Sequence, residues 1–62
     1  MRWEDWVGKE NVFIKLDDGQ IFSSSKVLEY EEPFLSITDR DELPAIVNVK
    51  TIIKIKEERN AV

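Results

Sequence analysis

The sequence predicts an all-β domain of five strands preceded by a short α-helix. Val12, Ile14 and Leu16 fall at alternate positions, the period-two pattern of a strand with one buried face. A second apolar run opens at Ile21, and the dipeptide Asp18-Gly19 lies between the two runs. Asp-Gly at such a junction is typical of a tight primed hairpin turn, because Gly adopts positive φ at little cost. Two antiparallel strands joined at Gly19 are therefore expected.

The N-terminal stretch from Arg2 to Lys9 has the spacing of a short helix. Trp3, Trp6 and Val7 fall at i, i+3 and i+4, on one face of a helical turn, and Gly8 follows as a stop. A helix this short is stable only when its apolar face is buried. The tryptophans are therefore interpreted as closing one end of a barrel, with an aromatic binding platform as the alternative.

The second strand, residues 21–31, carries apolar groups on both faces. Val27 is expected on one face and Leu28 and Tyr30 on the other, after the run Ser23-Ser24-Ser25. A change of facing across a serine run indicates a sharp bend or a bulge, by which one strand joins both sheets of a small barrel.

The remaining strands follow in short order. The third is Phe34–Thr38, with Leu35 and Ile37 facing the core, and a polar turn at 39–44 follows it. Alternation then predicts a fourth strand at 45–50, a tight turn at 50–52 and a fifth strand at 53–56. The predicted organisation is a single domain over 1–62, with a helix at 1–9, a barrel at 11–56 and a frayed tail at 57–62.

Composition narrows the classes of function. The chain of 62 residues has a net charge of −4 and contains neither His nor Cys. Ordinary zinc sites and His-dependent nucleophilic catalysis are therefore excluded, and the acidic runs lack a calcium-loop spacing. We expect no enzyme activity, no metal and no cofactor. The chain is also expected to be cytoplasmic, since it lacks cysteines, a signal peptide and an apolar run that could span a membrane.

The order of elements resembles an SH3-like small barrel, and several stretches resemble the Sm-like (LSm) family. Residues 11–19 look like that family's first strand and hairpin, and 26–31 look like its bent second strand, which ends in an aromatic followed by an acid. Residues 34–37 fall at its third strand, and 47–55 resemble its closing pair of strands around a one-turn connection. The chain differs from the family at the uridine-binding positions, where Glu31, Pro33, Leu35, Asn48 and Val49 stand.

This resemblance implies an oligomeric scaffold that binds single-stranded RNA or supports RNA–protein assembly. The fourth and fifth strands would keep free edges and pair with neighbouring copies, with Ile46, Ile52 and Ile53 as additional apolar surface. The candidate RNA-binding residues, expected to line one face, are Tyr30, Phe34, Asn48, Lys50 and Lys54.

An SH3-like or tudor-like protein-interaction module is the alternative. It would bind a basic or Pro-containing peptide in an aromatic groove with acidic rims, and the net acidity of the chain suits such a ligand. The groove would be formed by Trp3, Trp6, Phe22, Tyr30 and Phe34.

Overall fold

Two three-stranded antiparallel sheets enclose the core. The computed structural model describes residues 2–58. Its strands are β1 (Val12–Leu16), β2 (Ile21–Ser25), β3 (Val27–Glu31), β4 (Phe34–Thr38), β5 (Pro44–Asn48) and β6 (Ile52–Glu57). The first sheet has the order β2-β1-β6, and the second has the order β3-β4-β5. The predicted all-β class is confirmed.

The apolar sides of the two sheets form one core. Val12, Ile14 and Leu16 of β1 are buried, as the alternation in the sequence predicts. Leu35 and Ile37 of β4 meet them from the second sheet and are fully buried, which confirms their predicted facing. The other members of this core are Val27 and Val47.

The described residues form six strands instead of the expected five, because the predicted second strand breaks at Lys26. The register against β1 slips between Val12, which pairs with Ser25, and Ile14, which pairs with Phe22, so the serine run forms a bulge. Ser24 in that bulge has a φ of +54°, a left-handed conformation unusual for a residue with a Cβ. The predicted bulge is therefore confirmed, and it separates β2 in one sheet from β3 in the other.

The prediction of an α-helix at 1–9 is wrong, because the described residues of this stretch form no α-helix. A 3₁₀ helix covers Trp3–Trp6 instead, and the N–H of Val7 donates to the carbonyl of Glu4 at 3.2 Å. So few residues cannot offset the cost of nucleating an α-helix. Gly8, at φ +89°, then turns the chain toward β3, where its N–H donates to the carbonyl of Val27 at 2.9 Å.

The first hairpin lies where the sequence predicts it, with a different turn. The N–H of Gly19 donates to the carbonyl of Leu16 at 3.1 Å, and the N–H of Leu16 donates to the carbonyl of Gln20 at 2.8 Å. The loop is thus three residues long. Gly19 has a φ of +91°, whereas Asp18 is not among the positive-φ residues, so the primed two-residue turn is replaced by a turn that needs one left-handed residue.

The last strand is longer than predicted and contains a bulge. Lys15 pairs with Lys54 but Leu16 pairs with Ile52, so an extra residue, Ile53, lies in a bulge and is exposed. The strand extends to Glu57, and Glu58 donates its N–H to the carbonyl of Asn11 at 2.8 Å. Residues 59–62 of the predicted frayed tail lie outside the described residues.

Candidate binding groove

A shallow groove crosses the outward face of the β3-β4-β5 sheet. Because Leu35 and Ile37 face the core, the alternate residues of β4 face outward. The strand pairing sets Glu31 beside Phe34, and it sets Glu29 and Ile46 on either side of Ser36. The groove encloses about 390 Å³ and is lined by Glu29, Glu31, Phe34, Ser36 and Ile46.

The groove is apolar along its floor and acidic along one side. Phe34 is 50% exposed and Ile46 is 70% exposed, although both are large apolar side chains. Glu29 and Glu31 follow each other at alternate positions of β3 and are exposed. Neither of these carboxylates forms a salt bridge within residues 2–58. The arrangement can bind a group that is cationic at one end and aliphatic or aromatic at the other.

The predicted RNA-binding residues do not line one face. Phe34 and Asn48 are cross-strand partners, so these two are adjacent. The Asn48 side chain accepts a hydrogen bond from the N–H of Lys50 at 2.9 Å and thereby caps the 3₁₀ turn Val49–Thr51. Tyr30 pairs with Leu35 and packs against the core, on the opposite side of the sheet, and Lys54 belongs to the other sheet.

The aromatic residues predicted to form the groove of an SH3-like or tudor-like module do not share one face either. Trp3, Trp6, Phe22 and Tyr30 are partly buried and pack against the core, whereas Phe34 faces outward. This packing supports the interpretation that the tryptophans cover the core. Partial burial raises the pKa of the Tyr30 hydroxyl above its ordinary value, and the charges of Glu32 and then Glu4 raise that pKa further.

Four groove residues were not among the predicted sites: Glu29, Glu31, Ser36 and Ile46. Strand alternation alone places Ser36 on the face of Phe34. Which residues of β3 and β5 line the groove depends on the register of these strands against β4, however, and no local sequence pattern predicts that register. An apolar Ile46 between the inward residues Ala45 and Val47 was the one available signal.

Comparisons with protein-family models, curated proteins and solved structures find no match to this chain. Within residues 2–58, no helix has the length and apolar character needed to cross a membrane. The same residues bring no three acidic, His or Cys side chains together as a metal site.

Proposed function

We propose that the chain is a protein-interaction module that binds a basic segment of a partner protein in the groove. The observation that carries this proposal is the position of Glu29 and Glu31 beside the exposed Phe34. A phosphate backbone would be repelled by these carboxylates, whereas a Lys or Arg side chain would be attracted.

The chemistry of the ligand follows from the two halves of the groove. A Lys or Arg of the peptide places its charge between the two carboxylates, and its methylene stem packs along Phe34. A neighbouring aliphatic or Pro residue covers Ile46, which is otherwise exposed to water. Alternate side chains of an extended peptide meet these two positions.

A peptide titration tests the proposal. The probe is a fluorescent eight-residue peptide in which Lys alternates with Leu or Pro, and its control carries Glu in place of Lys. We expect the basic peptide alone to bind. The double variant Glu29→Gln with Glu31→Gln should weaken binding about tenfold, or ~1.4 kcal/mol.

A matched double variant controls for net charge. Asp41→Asn with Glu10→Gln removes the same charge from exposed positions outside the groove. Binding by this control should stay within about twofold of the original at ~0.15 M salt, because distant exposed charges are screened. If both double variants lose affinity equally, or if the basic peptide fails to bind, the proposed function is wrong.

The second candidate function is an oligomeric Sm-like scaffold with an SH3-like barrel. The observation that favours it is the sheet order: β5 and β6 are edge strands, with Ile46 and Ile53 exposed on them. Unpaired strand edges with apolar side chains invite pairing with another chain. The bulge at Ser24, which passes the chain from one sheet to the other, supports the barrel.

The native mass distinguishes the two candidates. Light scattering after size exclusion should give six or seven chains for a scaffold of the Sm-like type, at both low and high salt, because backbone pairing is insensitive to ionic strength. A monomer at dilute concentration in high salt would contradict this candidate and leave the interaction module.

A further inference from the structure

The outward face of the β2-β1-β6 sheet has the opposite charge from the groove. Because Val12, Ile14 and Leu16 are buried, Phe13 and Lys15 face outward from β1. The pairing of β1 with β6 sets Lys54 beside Lys15 and Lys56 beside Phe13. We call this set, with the exposed Ile21 that pairs with Lys15, the basic face: Phe13, Lys15, Ile21, Lys54 and Lys56.

The described part of the chain does not neutralise the lysines of the basic face. Within residues 2–58, the salt bridges engage Lys9 with Glu57 and Lys26 with Glu10, and none engages a lysine of the basic face. Lys56 lies with its ammonium 5.5 Å from the centroid of the Phe13 ring. Directly opposed like charges in a sheet repel each other. A negative surface that covers the basic face would relieve this repulsion.

We propose that the basic face docks on the acidic groove of a second copy of this chain. The two surfaces match in charge and in apolar content: lysines meet Glu29 and Glu31, and Phe13 with Ile21 meets Phe34 with Ile46. The proposal rests on the groove of the proposed function and adds that self-association competes with the peptide for it.

The two surfaces lie on opposite sides of the molecule, because each is the outward side of one of the two sheets that enclose the core. The contact is therefore head-to-tail, and a series of copies ends in a free groove on one terminal copy and a free basic face on the other. Three strands of five residues cover on the order of 250 Å² per partner, far less than a stable complex buries. Association is consequently weak and sensitive to salt.

Charge reversal tests the contact. Variant A carries Lys15→Glu and Lys54→Glu, and variant B carries Glu29→Lys and Glu31→Lys. At roughly 20 mM salt and high protein concentration, the native mass of the original chain should exceed that of a monomer. At roughly 500 mM salt it should return to the mass of a monomer. Each variant alone should remain monomeric, since its groove and its basic face then have the same sign.

Mixing the two variants provides the decisive measurement. The groove of A is complementary to the basic face of B, and the reversed face of A is complementary to the reversed groove of B, so the mixture should associate again. A control with Lys26→Glu and Lys50→Glu changes the net charge as A does and should associate like the original chain. Circular dichroism of every variant should be recorded to check that it is folded.

Several results would overturn the proposal. Variants A and B that still gain mass would show that the contact lies elsewhere, and edge pairing of β5 and β6 would then explain it. A mixture that stays monomeric would contradict the complementarity. An original chain that stays monomeric while a single-stranded oligonucleotide binds the basic face would assign that face to nucleic acid.

Failure of this inference is separable from failure of the proposed function. Variant A has an intact groove and cannot occupy it with a second copy. If A binds the basic peptide and does not associate with B, the groove is a peptide site and only self-association is wrong. If A associates with B and ignores the peptide, self-association stands and the peptide function is wrong.

Discussion

Lys15 of β1 and Lys54 of β6 are cross-strand partners, two positive charges directly opposite each other on an exposed sheet face. Such a pair weakens the sheet by an amount comparable to what an opposite-charge pair contributes. The chain carries it although its net charge is −4 and acidic residues are more numerous than basic ones. A pair that costs stability in the free protein is consistent with a role in binding.

The single substitution Lys54→Glu should stabilise the fold. It converts the repulsive pair with Lys15 into an attractive one, and the expected gain is about 0.5–1 kcal/mol in the free energy of unfolding. Urea denaturation measures the difference. Lys26→Glu makes the same charge change away from Lys15 and should not stabilise the chain. It replaces the salt bridge of Lys26 with Glu10 by two like charges.

Replacement of Gly19 should report on the left-handed turn. The position has a φ of +91°, and an added Cβ would meet no atom of residues 2–58 within 4 Å. Gly19→Ala is therefore expected to cost about 1–2 kcal/mol through backbone strain alone. Gly19→Asn should cost less, because Asn tolerates this conformation better. Equal losses in thermal or urea unfolding would contradict this explanation.

Substitutions at Leu35 and at Phe34 should have different effects on stability and on peptide binding. Leu35 is fully buried, so Leu35→Ala should lower the free energy of unfolding by about 2–5 kcal/mol. Phe34 is half exposed, so Phe34→Ala should cost much less stability while it removes the apolar floor of the groove. Peptide binding measured on the folded Phe34→Ala variant should be lost or strongly weakened.

The Ser25 hydroxyl lies unpaired in the core. The residue is fully buried, and its Oγ has no hydrogen-bond partner among residues 2–58. An unpaired buried polar group costs about 1–3 kcal/mol, so Ser25→Ala should raise the free energy of unfolding by about 1 kcal/mol. Ser23→Ala, two residues earlier and only partly buried, should change it by less than about 0.5 kcal/mol.

Tyr30 should make stability fall in alkaline solution. Partial burial and the carboxylates of Glu32 and Glu4 raise the pKa of its hydroxyl in the folded state above that in the unfolded chain. The resulting stabilisation is fully present below the unfolded pKa of about 10 and is lost as the pH rises through the folded value. In Tyr30→Phe, the free energy of unfolding should decline less between about pH 9 and pH 11 than in the original chain.

The core was predictable because its signal is local. Alternation at Val12, Ile14 and Leu16, and again at Leu35 and Ile37, identifies buried strand faces from adjacent residues alone. The bulge at Ile53 has no such local signal, because it depends on how β6 pairs with β1 opposite Leu16. At the N-terminus, helical spacing of Trp3 and Trp6 identified the buried face correctly and the backbone conformation incorrectly.

The candidate site was less predictable than the core. Phe34 belonged to both predicted sets of binding residues, whereas Glu29 and Glu31 belonged to neither. Only the register of β3 against β4 brings these residues together. The RNA-binding set failed to assemble for the same reason: Tyr30 and Lys54 lie in different strands whose relative facing no local pattern specifies.

The sequence by itself determined the all-β class, the hairpin at Gly19, the serine bulge and most of the buried residues, because each depends on neighbouring residues and on a two-residue period. The tertiary structure alone decided the number of strands, the facing of Ile53, and the placement of acidic residues on one sheet and lysines on the other. Those features arise from the pairing of strands distant in sequence. A shift of one residue in that pairing would turn the opposite side chains outward, so charge and shape at the surface follow from register.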